Sequence, residues 1–211
     1  MTSILRPLSY RYAWLYDTVT AISSVPVGGP QRLRQILIEP LTLPRSAQVL
    51  DLCCGGGVTT AALCQRFDNV VGLDAAATAI ARAQALIPQA SYVVAQAEAM
   101  PFAANRFDLI QISVALHEMT PEQRQQILQE AWRVLKPAGT LAILDLHRPH
   151  NPLFWPAIAL FIELFETETA WQLVQSDLIA QLQAIGFGPI EEKLYSGGSL
   201  QALWARKPGD R

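Results

Sequence analysis

The feature that most narrows the possible folds is an alternation of short apolar runs with helical segments between residues 47 and 146. AQVLDL (47–52), NVVGLD (69–74), SYVVAQ (91–96), FDLIQISVA (107–115) and GTLAILDL (139–146) are rich in Val, Ile and Leu and only a few residues long. TTAALCQRF, AATAIARAQALI and PEQRQQILQEAWRVL fall between them and read as helices. Runs without a polar face are strands buried on both sides, and strands joined through helices lie parallel. The expected fold is therefore α/β, a doubly wound sheet with helices on both faces.

The flanking segments extend this pattern. Residues 4–40 read as helical, with RLRQILIEPL as the last stretch and Pro40 and Pro44 marking its end. Thr120 is the expected N-cap of the helix that opens at Pro121. Lys136-Pro137-Ala138-Gly139 reads as a turn into the fifth strand. Beyond it, NPLFWPAIALFIELFETETAW reads as one apolar helix with Asn151 as N-cap and Pro152 at the first helical position. SDLIAQLQAIGF is a further helix, and PIEEKLY and LQALWARK are two strands joined by a Ser196–Ser199 hairpin loop. A length of 211 residues suits one domain. Within it we expect a helical lid (1–44), a ligand-binding core (45–146), an apolar cap helix (147–175) and a final helix and β-hairpin (176–211).

Composition excludes several function classes. Hydrophobic residues make up 51% and charged residues 16%, enough apolar material for a substantial core. The net charge is -2, with basic residues scattered, so no nucleic-acid partner is expected. The three cysteines, Cys53, Cys54 and Cys64, fit neither a zinc spacing nor a disulfide framework, and reduced thiols suit a cytoplasmic protein. The N-terminus does not read as a signal peptide. The apolar run Leu153–Ile162 is far shorter than the about 20 residues a bilayer requires. No transmembrane segment is expected, peripheral membrane contact stays open, and the sequence leaves the oligomeric state undefined.

VLDLCCGGGVTT (49–60) carries the strongest functional signal. Ligands of open parallel sheets bind beyond the carboxyl ends of the strands, where Asp51 sits, and glycines there let the backbone turn sharply and approach a ligand. A dinucleotide fingerprint would need a third glycine where Thr60 stands, and a phosphate loop would need a lysine. A carboxylate at Asp51 would also repel a pyrophosphate and attract a cationic ligand. Asp74 ends the second strand about 20 residues later, the separation at which an acidic side chain meets ribose hydroxyls. It could equally cap the helix that follows.

The turn resembles motif I of the class I S-adenosylmethionine-dependent methyltransferases, D/E-x-G-x-G-x-G, as Asp51, Cys53, Gly55 and Gly57, with Cys53 replacing the first glycine. GLD (72–74), AQAEAMPF (95–102, against GDAEALPF) and RVLKPAG (133–139, against RVLKPGG) continue the resemblance in order. It is nearest to the ubiquinone/menaquinone branch, type 11. It implies a seven-stranded Rossmann-like sheet with strand 7 antiparallel, and S-adenosyl-L-methionine as cofactor. It further implies Asp74 at the ribose, Ala75 and Ala79 at the adenine, Gln96, Ala97 and Glu98 around the adenine amino group, and Ser113 at the cofactor's edge. By the same resemblance Tyr12 and Tyr16, with Trp14 and Asp17 nearby, belong to a lid. The expected activity is methylation of a small, apolar acceptor such as a prenylated quinone ring. The alternatives are a cofactor-binding protein without turnover and a nicotinamide-dependent oxidoreductase.

Methyl transfer needs a base only when the acceptor must lose a proton. His117 and Glu118, just after the fourth strand, are the candidate catalytic residues. Asp145, His147, Arg148 and His150 gather after the fifth, where Arg148 could meet an anionic substrate. No metal site is expected, because no further ligand stands at a matching spacing.

Overall fold

The computed structural model describes residues 27–209 except 152, 154 and 166. Seven strands form one sheet: β1 (Gln48–Leu52), β2 (Asn69–Asp74), β3 (Ser91–Val94), β4 (Phe107–Ser113), β5 (Leu135–Leu146), β6 (Ile190–Tyr195) and β7 (Leu200–Arg206). Their order is β3-β2-β1-β4-β5-β7-β6. The first five are parallel, and β7 runs antiparallel to both β5 and β6. The topology switches between β1 and β4, which opens a crevice at their carboxyl ends.

The strand faces explain the apolar runs. Leu50, Leu52, Ile110, Ile112, Leu141 and Ile143 pack on one side against Ile127, Leu128 and Ala131 of α4 (Pro121–Val134) and Leu178 and Leu182 of α7 (Leu178–Ile185). Val49, Leu109, Ala142 and Leu144 pack on the other, with Leu63 of α2 (Val58–Arg66) and Ile36, Leu37 and Ile38. With both faces covered, the strands have no use for alternation. Thr120 caps α4 as expected, in a reciprocal capping box with Gln123.

Three boundaries differ from the sequence reading. Among the described residues the N-terminal helix is α1 (Pro30–Gln35), after which residues 36–40 form turns. Ile36, Leu37 and Ile38 are all buried, which consecutive positions of a surface helix cannot be. The Lys136–Gly139 turn lies inside β5: Ala138 has φ 61° and its N–H donates to Lys207, so pairing continues through a local irregularity. The apolar segment makes two helices, α5 (Trp155–Phe165) and α6 (Glu168–Val174), divided at extended Thr167. Asn151 accepts from the Leu153 N–H in a local turn before α5. The remaining helix is α3 (Ala77–Leu86).

Candidate active site

The turn after β1 takes left-handed backbone at alternate residues: Cys53 (φ 59°), Gly55 (φ 52°) and Gly57 (φ 84°). Gly57 starts α2, and a Cβ there would lie 2.9 Å from the Ala83 Cβ, so α2 and α3 pack backbone to backbone at this point. Gly55 is different: a Cβ there would meet nothing within 4 Å, so its backbone borders open space. Its N–H donates to Asp74 Oδ2 at 2.9 Å, and the Ala76 N–H donates to Oδ1 at 2.9 Å. Asp74 thus joins the turn to the end of β2 and steadies the entry to α3, while a carboxylate keeps further acceptor positions for hydroxyls.

Asp51 is buried, and the Thr60 hydroxyl donates to its Oδ2 at 2.6 Å. Burial pushes its carboxyl up to about 7; the Thr60 hydrogen bond opposes this and the Asp74 charge adds to it. The Cys53 thiol is pushed up to about 12 by burial and by neighbouring carboxylates, Asp74 and Asp51 foremost. Two carboxylates beside an open glycine backbone fit a ligand with a cationic amino-acid end and ribose hydroxyls. They would repel a phosphate.

The other expected cofactor residues lie on the same carboxyl rim or beside it. Ala75 and Gln96 are exposed, and Ala79 and Ala97 are buried. Glu98 accepts from the Gln123 amide at 2.9 Å, which ties the loop after β3 to the start of α4. Ser113 is half-buried at the end of β4.

His117 is not in an open loop. It sits buried in a 3-10 turn (Leu116–Glu118), with its Nδ1 2.7 Å from Asp145 Oδ1. Asp145, also buried, ends β5 and takes the backbone N–H groups of Leu116 (2.7 Å), Ala115 (3.1 Å) and His117 (3.4 Å) on Oδ2. Burial alone would raise this carboxyl, but the His117 ring and the N–H groups of Leu146 and Leu116 outweigh it and hold it below its ordinary value. A carboxylate only accepts, so Nδ1 carries the hydrogen of this contact, and in a neutral ring the basic nitrogen would be Nε2. Val114 just before this turn has φ 54°, a costly conformation for a β-branched residue. Sequence reasoning named His117 but missed its partner's role. The available signal was an aspartate inside the otherwise apolar LAILDL.

Glu118 is exposed. Arg148 is exposed and lies over the Trp155 ring at 5.7 Å. His147 Nδ1 meets the Gly198 carbonyl at 2.8 Å. His147, Arg148 and Trp155 border a cavity of about 690 Å3 that also touches Leu178 and Gln201. Gln201 is the cross-strand partner of Asp145, so the cavity adjoins the end of β5. Tyr12, Trp14, Tyr16 and Asp17 lie outside the described residues. Among the described residues no helix is long and apolar enough to cross a membrane.

Comparison with known proteins agrees with this geometry. Residues 49–139 match the methyltransferase domain family. An uncharacterized methyltransferase of Synechocystis sp. is 50% identical over 206 residues, 98% of this chain and 97% of that protein. The 2-phytyl-1,4-naphtoquinone methyltransferase of Thermosynechococcus vestitus is 30% identical over 98% of this chain and 100% of its own length. In structure, phosphoethanolamine N-methyltransferase 2 of Haemonchus contortus, solved in complex with S-adenosyl-L-methionine, superposes with a TM-score of 0.65 at 15% identity, over 87% of this chain and 54% of that one. The sheet order, the glycine turn and the full-length relatives lead to one conclusion: this chain belongs to the class I S-adenosylmethionine-dependent methyltransferases.

Proposed function

We propose that the protein methylates a small, apolar, hydroxyl-bearing aromatic acceptor of the quinol class, with His117 as proton acceptor. The observation that carries this reading is the His117–Asp145 pair, held at 2.7 Å between the carboxyl ends of β4 and β5. When bound, S-adenosylmethionine supplies a methyl carbon made electrophilic by the adjacent sulfonium. The chain's own residues would do the rest. Gly55 gives close backbone approach, Asp74 accepts from ribose hydroxyls, and Asp51 faces the cationic amino-acid end. Ala75, Ala79, Gln96, Ala97, Glu98 and Ser113 line the adenine side and the cofactor's edge. For each methyl gained the acceptor gives up one proton, which His117 Nε2 would take while Asp145 steadies the resulting imidazolium.

Two features support the acceptor class. The full-length relative from Thermosynechococcus acts on a naphtoquinone, as its name states. The cavity beyond β5 has the size of a small-molecule pocket and joins Trp155, Val174, Leu178 and Ile179 to the polar His147 and Gln201. The experiment is a mass-spectrometric assay of methyl incorporation into reduced naphthoquinones with and without an isoprenoid tail. Methylated product, with the tailed acceptor faster, is expected. Equal turnover would remove tail recognition, and absence of product on both would remove the quinol reading.

A further inference from the structure

Gln111 lies in the second half of β4, 1% exposed, and its Oε1 has no hydrogen-bond partner. In the parallel ladder it stands directly beside Asp51 of β1. Strand alternation puts both side chains on one face. Val49 and Leu109, two residues before them, pack with Leu63 of α2, whereas Leu50, Leu52, Ile110 and Ile112 pack on the opposite side. Neighbouring strands are about 4.8 Å apart, so a small group between the two side chains could meet both. Donors of the chain on this face are committed elsewhere. The Thr60 hydroxyl donates to Asp51 Oδ2 at 2.6 Å. Ala142, beside Gln111 on β5, has an apolar side chain, and Trp204 beyond it donates its indole N–H to the Leu37 carbonyl at 2.9 Å. A buried acceptor without a donor costs stability, so an apolar residue would serve packing better at this position.

The place of Gln111 in the sheet indicates which donor it suits. β1 and β4 are the strands between which the topology switches, and ligands of such sheets enter at their carboxyl ends. Ser113, the next residue of β4 on the same face, is half-buried, so this face opens one pleat beyond Gln111. The neighbouring carboxyl favours a donor that is also a cation. A primary ammonium has three N–H donors, enough to meet the carboxylate and the amide oxygen together. We propose that Gln111 is a cofactor-binding residue whose Oε1 accepts a hydrogen bond from the α-ammonium of the cofactor's amino-acid end, beside Asp51. This rests on the reading of Asp51 as facing that end. Asp51 supplies the charge attraction. Gln111 supplies direction, because a neutral amide oxygen accepts without adding a second charge that would repel Asp51.

The test is calorimetric binding at pH 8, without acceptor, of S-adenosylhomocysteine and of its deaminated analogue, in which hydrogen replaces the α-ammonium. The proteins are wild type, Gln111→Met and Asp51→Asn. Methionine keeps the length of the side chain and removes the acceptor. Gln111→Met is expected to lose about tenfold or more in affinity for S-adenosylhomocysteine, the scale of a hydrogen bond to a charged group, and to stay within about twofold for the analogue. Its cofactor-free Tm should stay level or rise, because an unmatched buried acceptor is gone. Unchanged S-adenosylhomocysteine affinity in Gln111→Met overturns the proposal. An equal loss with both ligands overturns it as an effect on shape alone. A fall in Tm or loss of folding in the cofactor-free variant also overturns it, assigning the residue to packing or to an internal water. If Asp51→Asn discriminates the two ligands as wild type does, the reading of Asp51 falls, and the Gln111→Met comparison still reports on Gln111 separately. No acceptor is present, so failure of the quinol reading leaves these comparisons unaffected.

Discussion

The Asp51 carboxylate, at the end of β1, takes its hydrogen bond from Thr60 in the first turn of α2, 2.6 Å away and out of contact with water. Its folded pKa of about 7 lies above the ordinary carboxylate value. Stability from the neutral carboxyl is therefore fully present below about pH 4 and lost as pH rises through 7. Without cofactor, Tm should fall between pH 5 and pH 8, and Asp51→Asn should flatten that fall and raise Tm at pH 8. A cationic ligand reverses the preference, so S-adenosylmethionine affinity should strengthen as pH rises through 7. Calorimetry in buffers of different ionisation heat would detect the proton released on binding.

Gly55 and Gly57 have the same backbone handedness and opposite surroundings. Gly57→Ala would pay for left-handed backbone and for overlap with Ala83, together about 2–4 kcal/mol of stability. Gly55→Ala adds a Cβ into open space, so only the conformational cost of about 1 kcal/mol applies. Its methyl would occupy the open space beside Gly55 through which the cofactor is proposed to approach. Urea unfolding should show the larger loss for Gly57→Ala. At Gly55→Ala, S-adenosylhomocysteine titration should show affinity falling by about tenfold or more, a loss out of proportion to its stability.

Cys53 has φ 59° where the family pattern carries glycine, and Ala138 has φ 61° where RVLKPGG has its first glycine. Cys53→Gly should therefore be neutral to stabilising by about 0.5–1 kcal/mol in urea unfolding, with cofactor affinity retained. The thiol, held up near 12, should resist iodoacetamide at pH 8 in the folded protein.

These positions also indicate what was legible in the sequence. The β1 to β4 cradle was readable because strand runs and turn residues act locally: NVVGLD became β2 over the same residues, and the D-x-x-x-G-x-G spacing marked the left-handed turn despite Cys53. The acceptor side was less readable because its features come from distant segments. Asp145 meets His117 across two strand ends. The division of the apolar segment at Thr167 likewise had no strong breaker to announce it, since neither glycine nor proline stands there.

Asp145→Asn separates orientation from charge. The amide oxygen can still accept backbone N–H groups of the 3-10 turn, so the turn should persist. The site where Asp145 Oδ1 now accepts from the His117 ring would then be an NH2 group, which cannot accept from Nδ1–H. The ring would change tautomer or turn away, and its Nε2 would cease to be the basic nitrogen. Turnover of a quinol acceptor should fall by about 100-fold or more, the range of a general base. S-adenosylhomocysteine affinity should stay within about twofold, because Asp145 lies on β5, away from the β1–β2 cradle. In the wild type the depressed Asp145 carboxyl contributes stability that is fully present above the ordinary carboxylate range and disappears as pH falls through the folded value. Asp145→Asn should therefore lose the acid-side decline in Tm that the wild type keeps. A variant that retained wild-type turnover with its turn intact would show that His117 needs no carboxylate to work.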